Sequence, residues 1–176
     1  MPVTDVTSDA AARTLTFTAR YAAPVDRVWQ VWADPRQLER WWGPPGYPAT
    51  FDRHELEPGG SVTYSMTGPD GAAYPGYWRV ASVRPPHELE FDDGFADESG
   101  AANQDLPVTR THVSLLPLPE GGTEMRIVAT FPSDDAMQQL VAMGMQEGMT
   151  QALGQVDALL PAPAEAGRAP SGSGAD

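Results

Sequence analysis

The sequence contains no cysteine and no lysine; all eleven of its basic residues are arginine. Without cysteine there is no disulfide and no thiolate chemistry, and redox state leaves the compartment unconstrained. Without lysine there is no Schiff-base amine and no P-loop ammonium. The absence of lysine matches the Ala/Gly/Pro/Arg-rich codon usage of a GC-rich genome and carries little functional weight. Positive charge is scarce overall: 11 arginines face 24 acidic residues, for a formal net charge of -13. That balance argues against nucleic acid and against anionic membrane surfaces as partners. No apolar run approaches the ~18 residues of a membrane span. The first fifteen residues have neither the basic start nor the apolar run of a secretory signal. The expectation is a soluble cytoplasmic protein, and 176 residues is a one-domain length able to bury a substantial core.

The most informative stretch runs from Ser133 to Leu160. Met137, Leu140, Val141, Met145, Met149, Leu153, Val156 and Leu160 recur at i, i+3/i+4 steps and form one stripe on a helix. At ~1.5 Å per residue such a helix would be roughly 40 Å long. Ser133 suits an N-cap, with Asp134 and Asp135 at the positive end of the dipole. The stripe is rich in methionine, and Gly144 and Gly148 sit one turn apart beside it. A glycine inside a helix costs about 1 kcal/mol relative to alanine. Soft side chains and missing bulk suit a helix packed close to a curved sheet, or one that walls a cavity.

Upstream, residues 1–12 are small and polar and read as a loose terminus. Arg13 to Tyr21 alternates as a half-buried strand. Pro24 fits a first helical position, followed by Val25, Val28, Trp29 and Trp32 at helical spacing. Asp34, Pro35 and Gln37 read as a second helix start with a capping-box pattern. This helix ends at Trp41-Trp42-Gly43-Pro44-Pro45. Consecutive tryptophans point to different sides, so one fills core and the other fills core or a cavity mouth. Six further strands are expected at residues 49–56, 61–67, 74–84, 87–91, 108–116 and 123–131, divided by turns such as Gly68-Pro69-Asp70-Gly71. Residues 92–107 read as a flexible, solvated acidic loop, and 161–176 as a disordered low-complexity tail. The order implies an α+β domain over 13–160, with a twisted antiparallel sheet wrapped around the terminal helix and two short helices after the first strand.

Catalytic and metal signals are weak. The three histidines, His54, His87 and His112, are scattered, and no HExxH, GxSxG or phosphate-loop pattern occurs. Polar candidates for an apolar interior are Arg53, His54, Tyr64, Tyr77, Arg110 and His112. His112 neighbours the inward Val113 and should face solvent, whereas the direction of His54 stays open because its strand could carry a bulge. The faces of the 74–84 strand are also open. No cofactor and no metal are expected.

Tyr21 to Trp29 and Trp32 to Pro44, followed in order by Pro58-Gly59-Gly60, Asp70-Gly71, Gly76, Pro85-Pro86, Gly122-Thr123 and the 145–160 helix, resemble the START/SRPBCC superfamily. More narrowly they are similar to the C-terminal domain of the activator of the heat-shock-protein-90 ATPase. The resemblance implies a helix-grip fold with an apolar cavity between sheet and helix. It also implies an apolar or aromatic small-molecule ligand of lipid or polyketide kind, with a cyclase- or hydrolase-like enzyme or a chaperone-associated module as alternatives. Members often carry an arginine where this chain has Glu57. The activator itself has an additional N-terminal domain for which this chain leaves no room, so its activity is not carried over. The residues expected to line the cavity are Trp32, Trp42, Tyr64, Met66, Trp78, Met145 and Met149.

Overall fold

The computed structural model describes residues 3–160; the expected tail at 161–176 lies outside the described residues. Eight strands form one antiparallel sheet: β1 Val3–Asp9, β2 Thr14–Tyr21, β3 Ala49–His54, β4 Ser61–Thr67, β5 Ala73–Arg84, β6 Glu88–Phe95, β7 Thr109–Pro117 and β8 Thr123–Thr130. Their spatial order is β1-β2-β8-β7-β6-β5-β4-β3. Strands β3 to β8 follow one another as hairpins. Between β2 and β3 the chain crosses the sheet through two short helices, α1 Val25–Ala33 and α2 Pro35–Leu38. With α3 Asp134–Ala142 and α4 Met145–Gly154 over the sheet, this is an α+β fold of the helix-grip type.

Residue parity fixes the inner face. Leu15, Phe17, Ala19 and Tyr21 on β2, Val113 and Leu115 on β7, and Met125, Ile127 and Ala129 on β8 are all buried, while their neighbours alternate outward. The helices at the sheet end add an aromatic cluster. Trp32 meets Trp41 edge-on with centroids 4.8 Å apart, Trp42 meets Trp78 at 4.9 Å, and Trp78 stacks on Phe91 at 4.0 Å. The Trp41 indole N–H donates to the Val31 carbonyl at 2.8 Å, and the Trp32 N–H points at Met125 Sδ at 3.2 Å. Arg27 ties the terminal segment down by donating to the Leu159 carbonyl and to Gln37 Oε1.

Four expectations are corrected. The 133–160 helix is not continuous. Gly144 adopts φ +89, a left-handed conformation that ends α3 and caps α4, and a 3-10 turn, Val156–Leu159, finishes the segment. Glycine here is the point where the helix breaks, so it carries no mid-helix penalty. Ser133 does cap α3, accepting from the Ala136 N–H at 3.0 Å. The stretch that reads as a loose terminus contains β1, an edge strand that pairs with β2 and rests Val6 on the core; its Thr- and Asp-rich sequence hides the pattern. The acidic loop is shorter than expected. Strand β6 runs on to Phe95, an Ala96–Ala102 bridge follows, and Asp97 Oδ1 accepts from Ser99 and Ala101 in a closed turn. Finally, Pro24 caps α1 rather than occupying its first turn.

Candidate functional site

A cavity of about 250 Å³ lies between the inner face of β4–β7 and the break that joins α3 to α4. Its wall is assembled from distant parts of the chain. Strand β4 brings Tyr64 and Met66, β6 brings Asp93, Gly94 and Phe95, and β7 brings Thr109. Trp42 and Pro44 close one side, where the Trp-Trp-Gly-Pro-Pro segment leaves α2. Leu140 of α3, Met143 and Gly144 of the break, and Met145, Gly148 and Met149 of α4 form the roof. Met143 is 55% exposed and stands at the rim. The helix break shapes this roof: a straight helix would carry the α3 stripe onward, whereas the turn at Gly144 aims residues of both helices at one volume.

Of the seven residues expected to line a cavity, Trp42, Tyr64, Met66, Met145 and Met149 do so. Trp32 and Trp78 do not line it. Both are wholly buried one layer deeper, inside the aromatic cluster, and there they support the wall rather than form it. The consecutive tryptophans divide, with Trp41 sealed in the core and Trp42 facing the cavity.

The polar candidates sort sharply. Tyr64 lies in the wall; the other five do not. Strand β3 has a bulge between Phe51 and Arg53, and His54 Nε2 sits 3.0 Å from the Trp32 carbonyl, a structural contact. Arg53 pairs with Glu55, His112 with Glu88, and Arg110 with both Glu90 and Asp92. The Tyr77 ring carries the Arg79 guanidinium 5.8 Å from its centroid. His87 is in contact with the Leu115 carbonyl.

Sequence reasoning misses Asp93. It belongs to a run that reads as solvated and acidic, yet its carboxylate is on the cavity wall, where the Tyr64 hydroxyl donates to Oδ1 at 3.0 Å. Parity is the available signal: Leu89 and Phe91 are buried four and two residues earlier on the same face. Asp92 points outward to Arg110, and Asp93 necessarily points in.

A glycine makes the pairing possible. Tyr64, Gly76 and Phe95 lie in one row across β4, β5 and β6. A Cβ on Gly76 would stand 2.4 Å from Tyr64 Cζ, so only the bare backbone lets the tyrosine ring lie across β5 toward β6. Further along the strands, Trp78 is paired with Asp93, which in turn is paired with Thr109.

Electrostatically this wall differs from the rest of the core. Burial pushes the Asp93 carboxyl up to about 7, with the Tyr64 hydrogen bond pulling it the other way. Burial, and then the Asp93 charge, push the Tyr64 hydroxyl well above its ordinary value. The nearby Trp42 N–H opposes that rise, although its indole nitrogen is buried without a hydrogen bond of normal geometry. Among the described residues Asp93 has no ion-pair partner, and the accessible surface it keeps is that of a cavity wall. A half-ionised carboxyl at neutrality can accept or donate a proton. Among the described residues no group of three or more His, Asp or Glu could hold a metal ion, and no helix is long and apolar enough to cross a membrane.

The family model for activator of Hsp90 ATPase homolog 1-like protein matches residues 22–161. Among solved structures, protein Ms6760 from Mycobacterium smegmatis is 53% identical, with a TM-score of 0.84, covering 92% of this chain and 98% of that one. A protein from Arthrobacter aurescens, solved by solution NMR, is 50% identical, with a TM-score of 0.87 and coverage of 92% and 95%. CalU16 from Micromonospora echinospora, 21% identical with a TM-score of 0.57 and coverage of 86% and 82%, shares the fold alone. No curated protein matches the chain.

Proposed function

This chain belongs to the activator of Hsp90 ATPase homolog 1-like family, and from that premise we propose that it binds an apolar or aromatic small molecule in the cavity under the α3–α4 break. The observation that carries this reading is the make-up of the wall, which is aromatic and methionine-rich with few polar side chains, the Tyr64–Asp93 pair and Thr109. Such walls hold a ligand by apolar burial and orient it with few polar groups. Its volume of about 250 Å³ falls just below the ~300–1,000 Å³ common for ligand sites, so the guest is a compact molecule of one or two rings. Methionines on α4 and at the break where the two short helices meet suit a roof that re-packs around different guests.

Gly148 supplies the test. A Cβ placed there meets nothing within 4 Å, and the position looks into the cavity. Gly148→Phe should therefore fill the space without disturbing α4, and Met149→Trp should act in the same way. Both variants should abolish the fluorescence gain of a neutral naphthalene fluorophore while keeping the far-UV circular dichroism of the parent. Undiminished uptake by folded Gly148→Phe would remove the assignment.

A second reading, acid–base chemistry of the cyclase or hydrolase kind, rests on two polar side chains meeting at hydrogen-bond distance on the wall. In it Asp93 moves the proton and Tyr64 orients the carboxyl. It predicts turnover that Asp93→Asn abolishes while ligand affinity survives.

A further inference from the structure

Asp93 is a carboxylate without a cation among the described residues. The elements packed around it supply almost nothing that titrates. Strand β4 brings Tyr64; β5 brings Gly76 and Trp78; β7 brings Thr109; and the roof brings a leucine and methionines. Of the residues lining the cavity, Tyr64 is the one titratable neighbour, and it satisfies only Oδ1. The second oxygen, Oδ2, has no hydrogen-bond partner among the described residues and belongs to a cavity-lining side chain. The two basic residues closest in register, Arg79 on β5 and Arg110 on β7, both pair with Asp92, on the opposite face of the sheet; Arg79 lies over the Tyr77 ring and Arg110 is engaged by Glu90 and Asp92. Aromatic faces complete the surroundings, since Trp42, Tyr64 and Phe95 all line the same volume.

We infer that the guest of this cavity is a small organic amine, an ammonium group on an apolar aryl or alkyl body, with its N–H groups on Asp93 Oδ2 and its body under the α3–α4 roof. The inference rests on the ligand-binding reading above and narrows its chemistry. An ionised carboxylate in apolar surroundings is stabilised most by a partner of opposite charge that also donates hydrogen bonds. The aromatic rings add attraction for a cation at their faces. The formal net charge of -13 draws cations toward the molecule as a whole. Tyr64 holds Asp93 from the other side, so the free oxygen is fixed in direction before the guest arrives. Because the ammonium selects the ionised carboxyl, its binding strengthens as pH rises through the Asp93 titration.

The experiment compares 2-phenylethylammonium with 2-phenylethanol, close in shape and different in charge, by calorimetry at pH 6 and pH 8. At pH 8 the ammonium should bind about tenfold or more tightly than the alcohol. Between pH 8 and pH 6 its affinity should fall about tenfold, following the ionised fraction of a carboxyl titrating at about 7, while the alcohol changes little. Asp93→Asn should erase the preference, bringing the two probes to equal affinity at pH 8, and remove the pH dependence of ammonium binding. Equal binding of the two probes at pH 8, or a preference that survives in Asp93→Asn, would overturn the amine assignment and leave the apolar-guest reading standing. Failure of both probes to bind would overturn both.

Discussion

Replacing Asp93 with asparagine should stabilise the protein increasingly as pH rises. In the unfolded chain this carboxyl titrates near its ordinary 3.8, whereas in the folded state burial raises it to about 7. Between those values the unfolded state has lost the proton and the folded state keeps it. The folded state therefore binds more protons, and stability falls as pH rises, by up to about 1.4 kcal/mol per unit. The contribution is fully present below pH 3.8 and exhausted above about pH 7. Over the accessible range from pH 5 to pH 8 the integrated loss is about 2–3 kcal/mol. An asparagine side chain has no such titration, and its amide oxygen can still accept the Tyr64 hydrogen bond. Urea unfolding followed by the fluorescence of the five tryptophans at pH 5, 6, 7 and 8 measures the effect. The stability of Asp93→Asn relative to the parent should climb by about 2–3 kcal/mol from pH 5 to about 7 and then level off. The two proteins share every other titratable group, including Asp34 and Asp97, whose lowered values act in the opposite sense at more acidic pH. A stability difference that stays constant from pH 5 to pH 8 would refute the claim that this carboxyl is held in an apolar wall.

The pair that holds Asp93 can be taken apart from the other side. Tyr64→Phe should cost about 1 kcal/mol of stability and raise the Asp93 titration further, read by carboxyl carbon NMR; an unchanged or lowered midpoint would count against the hydrogen bond. Gly76→Ala should do more damage than a surface Gly→Ala change, about 1–3 kcal/mol by urea unfolding, because its methyl meets the Tyr64 ring; a neutral result would mean that the ring does not lie across β5. Two glycines of the terminal segment, Gly144 and Gly148, should respond in opposite directions to alanine. Gly144→Ala, at φ +89, should lose about 1 kcal/mol, while Gly148→Ala, inside α4 with open space beyond it, should gain about 0.5–1 kcal/mol. Effects of the same sign would place the helix break elsewhere.

Much of the fold is legible because hydrophobic alternation and turn chemistry are local. Strand β2 announces itself through Leu15, Phe17, Ala19 and Tyr21, and the second short helix through Asp34-Pro35, whose aspartate side chain accepts from the Arg36 N–H. The edge strand β1 is not legible, because an edge strand needs only one partner and little burial, and its threonines and aspartates satisfy both. The helix break is only half legible. An i, i+3/i+4 stripe persists across Gly144, since both helices pack on the same sheet, and the pattern records the surface covered without recording whether the covering element is straight.

The cavity residues show the same division between local and non-local signals. Trp42, Met145 and Met149 stand out by composition, as large soft side chains beside glycine and proline. Trp32 and Trp78 stand out equally but lie one layer too deep, because residue type does not encode depth along the normal to the sheet. Asp93 fails in the opposite way: an acidic residue beside Asp92 and before Gly94 reads as surface, and only the step from Leu89 through Phe91 sets it inward. That step matters because the strand runs on past Phe91 to Phe95, which no local propensity demands. Pairing with β5 extends it, through Asp93–Trp78, Gly94–Tyr77 and Phe95–Gly76. The glycines at two of those three pairs leave room for a ring on each face: Tyr64 over Gly76 inside, and Tyr77 over Gly94 outside. The inward pairing of Asp93 with Tyr64 thus depends on a bare backbone position on the neighbouring strand, Gly76, over which the tyrosine ring passes.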